Sequence, residues 1–112
     1  MSMGIQQAFV TCMKKYADFS GRATRSEYWW FVLCEILILG TASLISETLT
    51  GVAALFLVLP AVAAGARRLH DIGRSGWWLL VGLVPLIGGL FLLYWTVLPS
   101  QPGANAFGEP AA

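Results

Sequence analysis

The stretch Ala66-Arg67-Arg68-Leu69-His70-Asp71-Ile72-Gly73-Arg74-Ser75-Gly76-Trp77-Trp78 decides how this chain is built. After residue 35 it is the only dense cluster of ionisable side chains, and it separates two long apolar runs, 51–66 and 77–98. A short, mostly basic segment between two hydrophobic ones has the character of a cytoplasmic turn in a membrane hairpin. Composition agrees. Of 112 residues, 57% are hydrophobic and 12% charged, whereas a soluble domain carries about 25% charged residues. A single small domain cannot bury that much apolar surface in its own core, so lipid is the expected solvent.

The net charge of +1 is uninformative, but its distribution is not. Lys14, Lys15, Arg22, Arg25, Arg67, Arg68 and Arg74 all lie before the first apolar run or between the second and third. Working outward from the central motif, 49–66 reads as the second transmembrane helix, interrupted by Pro60 and ending in a small-residue patch that permits close helix approach. Segment 77–98 reads as the third, with Ser75 as its N-cap. Pro85, Gly88 and Gly89 offer a rival: a re-entrant hairpin that returns the tail to its starting side. Broken backbone facing lipid is costly, so three full spans are expected.

Upstream, 28–45 is the first span. Thr24 and Glu27 form a capping-box pattern at its start, and Tyr28, Trp29 and Trp30 sit at belt level. Residues 4–18 carry apolar side chains at helical spacing and read as an amphipathic helix lying in the interface. Residues 99–112 form an irregular, turn-rich tail. The expected fold is therefore an all-α membrane protein, an N-terminal interfacial amphipathic helix plus three transmembrane helices in a single polytopic domain. The positive-inside rule places the N-terminus in the cytoplasm and the C-terminus outside.

Two segments carry a resemblance. Phe19-x-Gly21-Arg22-x-x-Arg25-x-x-Tyr28-Trp29 and Arg67-Arg68-Leu69-His70-Asp71-x-Gly73-x-Ser75-Gly76-Trp77-Trp78 resemble the family known as domain of unknown function 805, small bacterial inner-membrane proteins. Pro85 and Asn105-x-Phe107-Gly108-x-Pro110 also match its pattern. The resemblance implies a helical fold and a bacterial plasma-membrane location. It implies no activity and carries no catalytic residues across.

Candidate site residues follow from charge and depth. Arg22, Arg25, Arg67, Arg68, His70, Asp71 and Arg74 form a cytoplasmic face that would bind anionic lipid headgroups or a partner, since guanidinium forks suit phosphate and carboxylate. Against this stands a structural role, in which Glu27 pairs with Arg67 or Arg68 and Asp71 with Arg22 or Arg25. Trp29, Trp30, Trp77 and Trp78 are interface anchors. One His without a second His or a nearby Cys makes no metal site, and Cys12 and Cys34 are isolated thiols. No activated nucleophile stands out, so neither enzyme activity nor a cofactor is expected, and nucleic acid is disfavoured as a partner.

Glu35 is the acidic residue within the first span. It must face the bundle and meet either Arg67 or Arg68, or the carbonyl of Val81, for which a protonated Glu35 has the donor that Pro85 lacks. The expectation is the second. The functional reading is a membrane scaffold or interaction protein. Its alternative is one subunit of a homo-oligomeric transporter or channel, because three spans enclose no pathway and intramembrane charge with broken helices often marks one.

Overall fold

The computed structural model describes residues 4–110; Met1–Met3 and the last two residues of the expected 99–112 tail lie outside the described residues. The described chain is helical: α1 (Ile5–Lys14), α2 (Arg25–Ile45), α3 (Glu47–Asp71), a 3-10 segment (Gly76–Leu83) and α4 (Ile87–Val97). Among the described residues, α2 and α3 are the helices long and apolar enough to cross a membrane.

Local chemistry sets the boundaries. The Thr24 side chain accepts the Glu27 N–H at 3.2 Å, so α2 starts where the capping pattern places it. Ser46 ends α2 and caps α3, accepting from Leu49 N–H at 3.0 Å. Helix α3 runs past the expected end at residue 66, straight through the basic motif to Asp71. Gly73 stops it. With φ of +82°, it lets its own N–H reach the His70 carbonyl and the Arg74 N–H reach the Leu69 carbonyl. That double closure satisfies the last carbonyls of the helix.

Pro60 leaves the Phe56 carbonyl without its helical donor. The Tyr16 hydroxyl fills the gap at 2.6 Å. Tyr16 follows α1, and α1 itself is docked: Ala8 and Cys12 are fully buried, and Phe9 meets Phe31 of α2 at 5.9 Å between ring centroids. Part of its apolar face is thus covered by the protein's own α2, while Ile5 stays exposed.

The third segment departs from expectation. No single helix spans 77–98. The 3-10 segment descends for 8 residues, the chain reverses at Val84–Leu86, and α4 returns for 11. At about 2.0 Å rise per 3-10 residue the descent covers about 16 Å, roughly half of a hydrocarbon core about 30 Å thick. The physical reason lies in three residues. Pro85 cannot donate to Val81 and pushes Val84 into the extended region, with φ −80° and ψ 115°. Leu86 takes φ 63° and ψ −61°, and the Ile87 N–H closes onto the Pro85 carbonyl at 2.7 Å, a strained γ-turn. Gly88 then passes so close to Val81 that a Cβ there would run into its carbonyl. The re-entrant rival is the observed geometry, and the tail ends beside Arg22 and Asp71. The tail thus returns to the end of the bundle where α2 begins and α3 ends.

Candidate functional site

The two Arg motifs meet at the end of the bundle where α2 begins and α3 ends. The Ala23 N–H donates to the Arg67 carbonyl at 3.0 Å and pins the α2 entry to α3. Around this joint the charges cross-pair. Arg67 Nη1 donates to Glu27 Oε2, and Arg22 Nε to Asp71 Oδ1 at 2.8 Å. Asp71 Oδ2 takes Arg68 Nη1 at 2.8 Å, one helical turn back, and also the Ser100 hydroxyl. These are the pairings expected of a structural role. All five ionic side chains are at most 1% exposed.

Arg22 also holds the tail. Its Nη1 donates to the Gly103 and Gly108 carbonyls at 2.7 and 3.3 Å, and its Nη2 to the carbonyls of Gln101 at 2.6 Å and Asp71 at 3.3 Å. A planar fork of five N–H donors is suited to collecting scattered carbonyls in this way. Gln101 N–H closes the loop by donating to the Asp71 carbonyl at 2.9 Å. A side chain at Gly73 would collide with the Gln101 amide, so the stop of α3 and the seat of the tail depend on the same glycine.

The C-terminus of α4 is treated similarly. Its orphan carbonyls carry partial negative charge. Thr96 accepts from both Trp29 Nε1 and Arg68 Nε at 3.0 Å, Val97 from Arg25 at 3.2 Å, and Leu98 from Arg68 Nη2. Arg74 lies 4.4 Å from the Trp95 ring centroid and 5.8 Å from that of Trp78, a cation–π pair that anchors the returning helix. Trp29 and Trp78 are thus internal fasteners as well as belt residues. Trp77 remains 80% exposed and Trp30 is also exposed.

The open anion surface expected of the Arg cluster is therefore not what Arg22, Arg67 and Arg68 form. Among the expected residues only Arg25 and Arg74 stay exposed; of the two lysines, Lys14 is exposed and Lys15 half-buried. His70 and Asp71 do not act as a dyad. The His70 Nδ1–H donates to the Gly21 carbonyl at 2.9 Å, its ring stacks on Phe107 at 4.2 Å, and its own carbonyl accepts from Asn105 at 2.9 Å. One spot is left incomplete: Glu27 Oε1 and Arg67 Nη2 are buried with no hydrogen-bond partner among the described residues. Beside them Cys12 Sγ lies 3.8 Å from Glu27 Oε2, and burial, then the Glu27 charge, push its thiol up to about 12.

Glu35 meets neither expected partner. Arg67 and Arg68 are spent on Glu27 and Asp71, and the Val81 carbonyl takes the Val84 N–H at 3.0 Å within the hairpin turn. No described residue hydrogen-bonds or ion-pairs with the half-buried Glu35. Among the described residues, no group of three His, Cys, Asp or Glu side chains is arranged to hold a metal.

The tail acceptors Gln101, Gly103 and Gly108 were missed by sequence reasoning because they act through backbone carbonyls, which leave no side-chain signal. The pattern Asn105-x-Phe107-Gly108 was the hint available, and it marks the residues that cover His70.

Comparison with known proteins agrees with this architecture. The family model described as "Protein of unknown function (DUF805)" matches residues 16–109, from Tyr16 through the tail that Arg22 holds. The chain is 35% identical to the Inner membrane protein YhaH of Escherichia coli (strain K12), over 89% of this chain and 92% of that protein. It is 37% identical to the Inner membrane protein YhaI of the same strain, over 92% of this chain and 93% of that one. No solved structure matches it. With its polar latch, its two apolar helices and nearly its whole length matched, the chain belongs to the DUF805 family and is a bacterial inner-membrane protein.

Proposed function

We propose that this protein is a small interaction scaffold of the inner membrane, anchored by a cytoplasmic polar cap and engaging a membrane-protein partner through its half-depth hairpin. The observation that carries this reading is the hairpin tip. Leu83 and Leu86 are 80% and 79% exposed, and the turn between them has irregular backbone at about mid-bilayer depth. Irregular backbone at that depth is tolerated where protein or a water-filled cavity covers it. The described residues supply no cover, so a second copy or another membrane protein supplies it. Both basic motifs and the tail face the cytoplasm by the positive-inside rule. The accessible cations, Lys14, Arg25 and Arg74, rest against anionic headgroups, with Trp30 and Trp77 as belt anchors and α1 at headgroup level. The Arg22–Asp71–Arg68 latch is the rigid frame that sets the hairpin's angle.

A photo-crosslinking side chain at Leu86, on the full chain in native membranes, tests this. A protein adduct supports the scaffold, and adducts to lipid alone refute it. The alternative, a subunit of a homo-oligomeric transporter or channel, draws support from Glu35, which has no hydrogen-bond or ion-pair partner among the described residues. It requires that the adduct be the protein itself in a closed ring, and that Glu35→Leu abolish transport without loss of assembly.

A further inference from the structure

A groove of about 390 Å³ opens between α3 and the 3-10 segment, lined by Val62, Ala66, His70, Ser75, Trp77 and Leu79. That volume lies in the range of small-molecule sites. From His70 to Val62 it follows α3 for eight residues, about 12 Å at 1.5 Å per residue. One end is polar and the other apolar. The polar end holds His70 and Ser75 at the level of the belt residue Trp77, and the apolar end descends along Val62 and Leu79 toward the hydrocarbon. Its mouth faces outward, since Trp77 is largely exposed and Val62 is 44% exposed.

The His70 ring is set for a ligand. It is 9% exposed, held by Gly21 and Phe107, and lines the groove. A backbone carbonyl can only accept, so the bond to Gly21 places a proton on Nδ1, and the neutral tautomer that makes this bond has Nε2 as its lone-pair acceptor. No described residue donates to it. Gly76 lies beside Nε2, where a Cβ would sit in ordinary contact at 3.5 Å. Ser75 Oγ accepts the Trp77 N–H at 3.3 Å, and its own proton has no described acceptor.

We infer that this groove is a lipid site, holding one acyl chain of a glycerolipid from the surrounding bilayer with a free glycerol hydroxyl donated to His70 Nε2. Ser75 donates to an ester oxygen of the same head. An apolar trough with a single polar end at headgroup depth matches an amphiphile, and in a bilayer the lipid itself is the amphiphile at hand. A neutral acceptor selects a hydroxyl over a bare ester, because the ester has no donor and would leave Nε2 unpaired. The inference rests on bilayer residence and not on the partner contact at the hairpin tip.

Native mass spectrometry of the full chain, delipidated and presented at about pH 8 with dioleoylglycerol or its 3-O-acetyl ester, tests it. Both probes are uncharged, so the basic rim does not discriminate between them. Wild type should retain dioleoylglycerol about 3–10-fold more than the ester, the discrimination expected of one hydrogen bond. His70→Asn keeps a donor for Gly21 and removes the Nε2 acceptor, so the two probes should bind alike. Val62→Phe fills the trough and should lose both. Equal retention by wild type, binding of detergent only, a preference that survives His70→Asn, or unchanged binding in Val62→Phe would each overturn the assignment. These readouts are separate from the crosslink at Leu86, so either proposal can fail without the other.

Discussion

Replacing Asp71 with alanine removes the carboxylate on which two buried guanidiniums converge. In the native protein Arg22 and Arg68 reach Asp71 at 2.8 Å from opposite oxygens, and Ser100 donates to the second. Breaking one buried pair costs about 3–5 kcal/mol, because the surviving charge stays desolvated without its partner. Here two charges are left, although both keep their carbonyl acceptors, which limits the further loss. We therefore expect Asp71→Ala to destabilise by about 3–5 kcal/mol and to lower Tm by on the order of 10 °C or more. Glu47→Ala is the control. Glu47 is exposed in the first turn of α3, where a carboxylate contributes about 0.5 kcal/mol to the helix dipole. Asp71→Asn should fall between them, since it keeps a carbonyl acceptor but no charge. Thermal unfolding of the purified protein in nanodiscs, followed by intrinsic Trp fluorescence, reads all three. Equal and small shifts for Asp71→Ala and Glu47→Ala would refute the buried latch.

Three further outcomes are expected. Gly88→Ala should open the hairpin by driving a methyl group into the Val81 carbonyl, whereas Leu86→Gly should raise stability by about 1 kcal/mol by relieving the positive φ; the pair is read by the same unfolding assay. Stability should fall as pH rises above about 9, where the unfolded Cys12 thiol ionises at its ordinary value and the folded one, pushed up to about 12, does not. The unfolded state then binds fewer protons, so the slope is negative, and Cys12→Ala should flatten it. With Cys12 and Cys34 replaced, a single cysteine at Ala104 should be shielded from an impermeant thiol reagent in whole cells and one at Thr48 labelled; labelling of the Ala104 position would return the third segment to a full span.

Residue types alone determined much of this protein. Hydropathy and charge placement identified a helical membrane chain, Thr24 marked a helix start through a side-chain oxygen that a local backbone N–H group needs, and the opposite charges within two Arg motifs at one membrane face narrowed the partners of Glu27 to Arg67 or Arg68 and those of Asp71 to Arg22 or Arg25. These are short-range or strongly signed effects, legible from residue types in order. The course of the third segment was not. Pro85, Gly88 and Gly89 permit both a kinked span and a reversal, and the choice fell to contacts distant in sequence. Arg22, Arg25, Arg68 and Trp29 collect the carbonyls of α4 and the tail, and that net gain in satisfied polar groups exists only when the chain returns. The same return spends the guanidiniums that composition alone had offered to lipid headgroups, and it leaves Glu35 and the His70 Nε2 without described partners. Backbone carbonyls are identical at every residue, so only the tertiary structure decided which ones the arginines would hold.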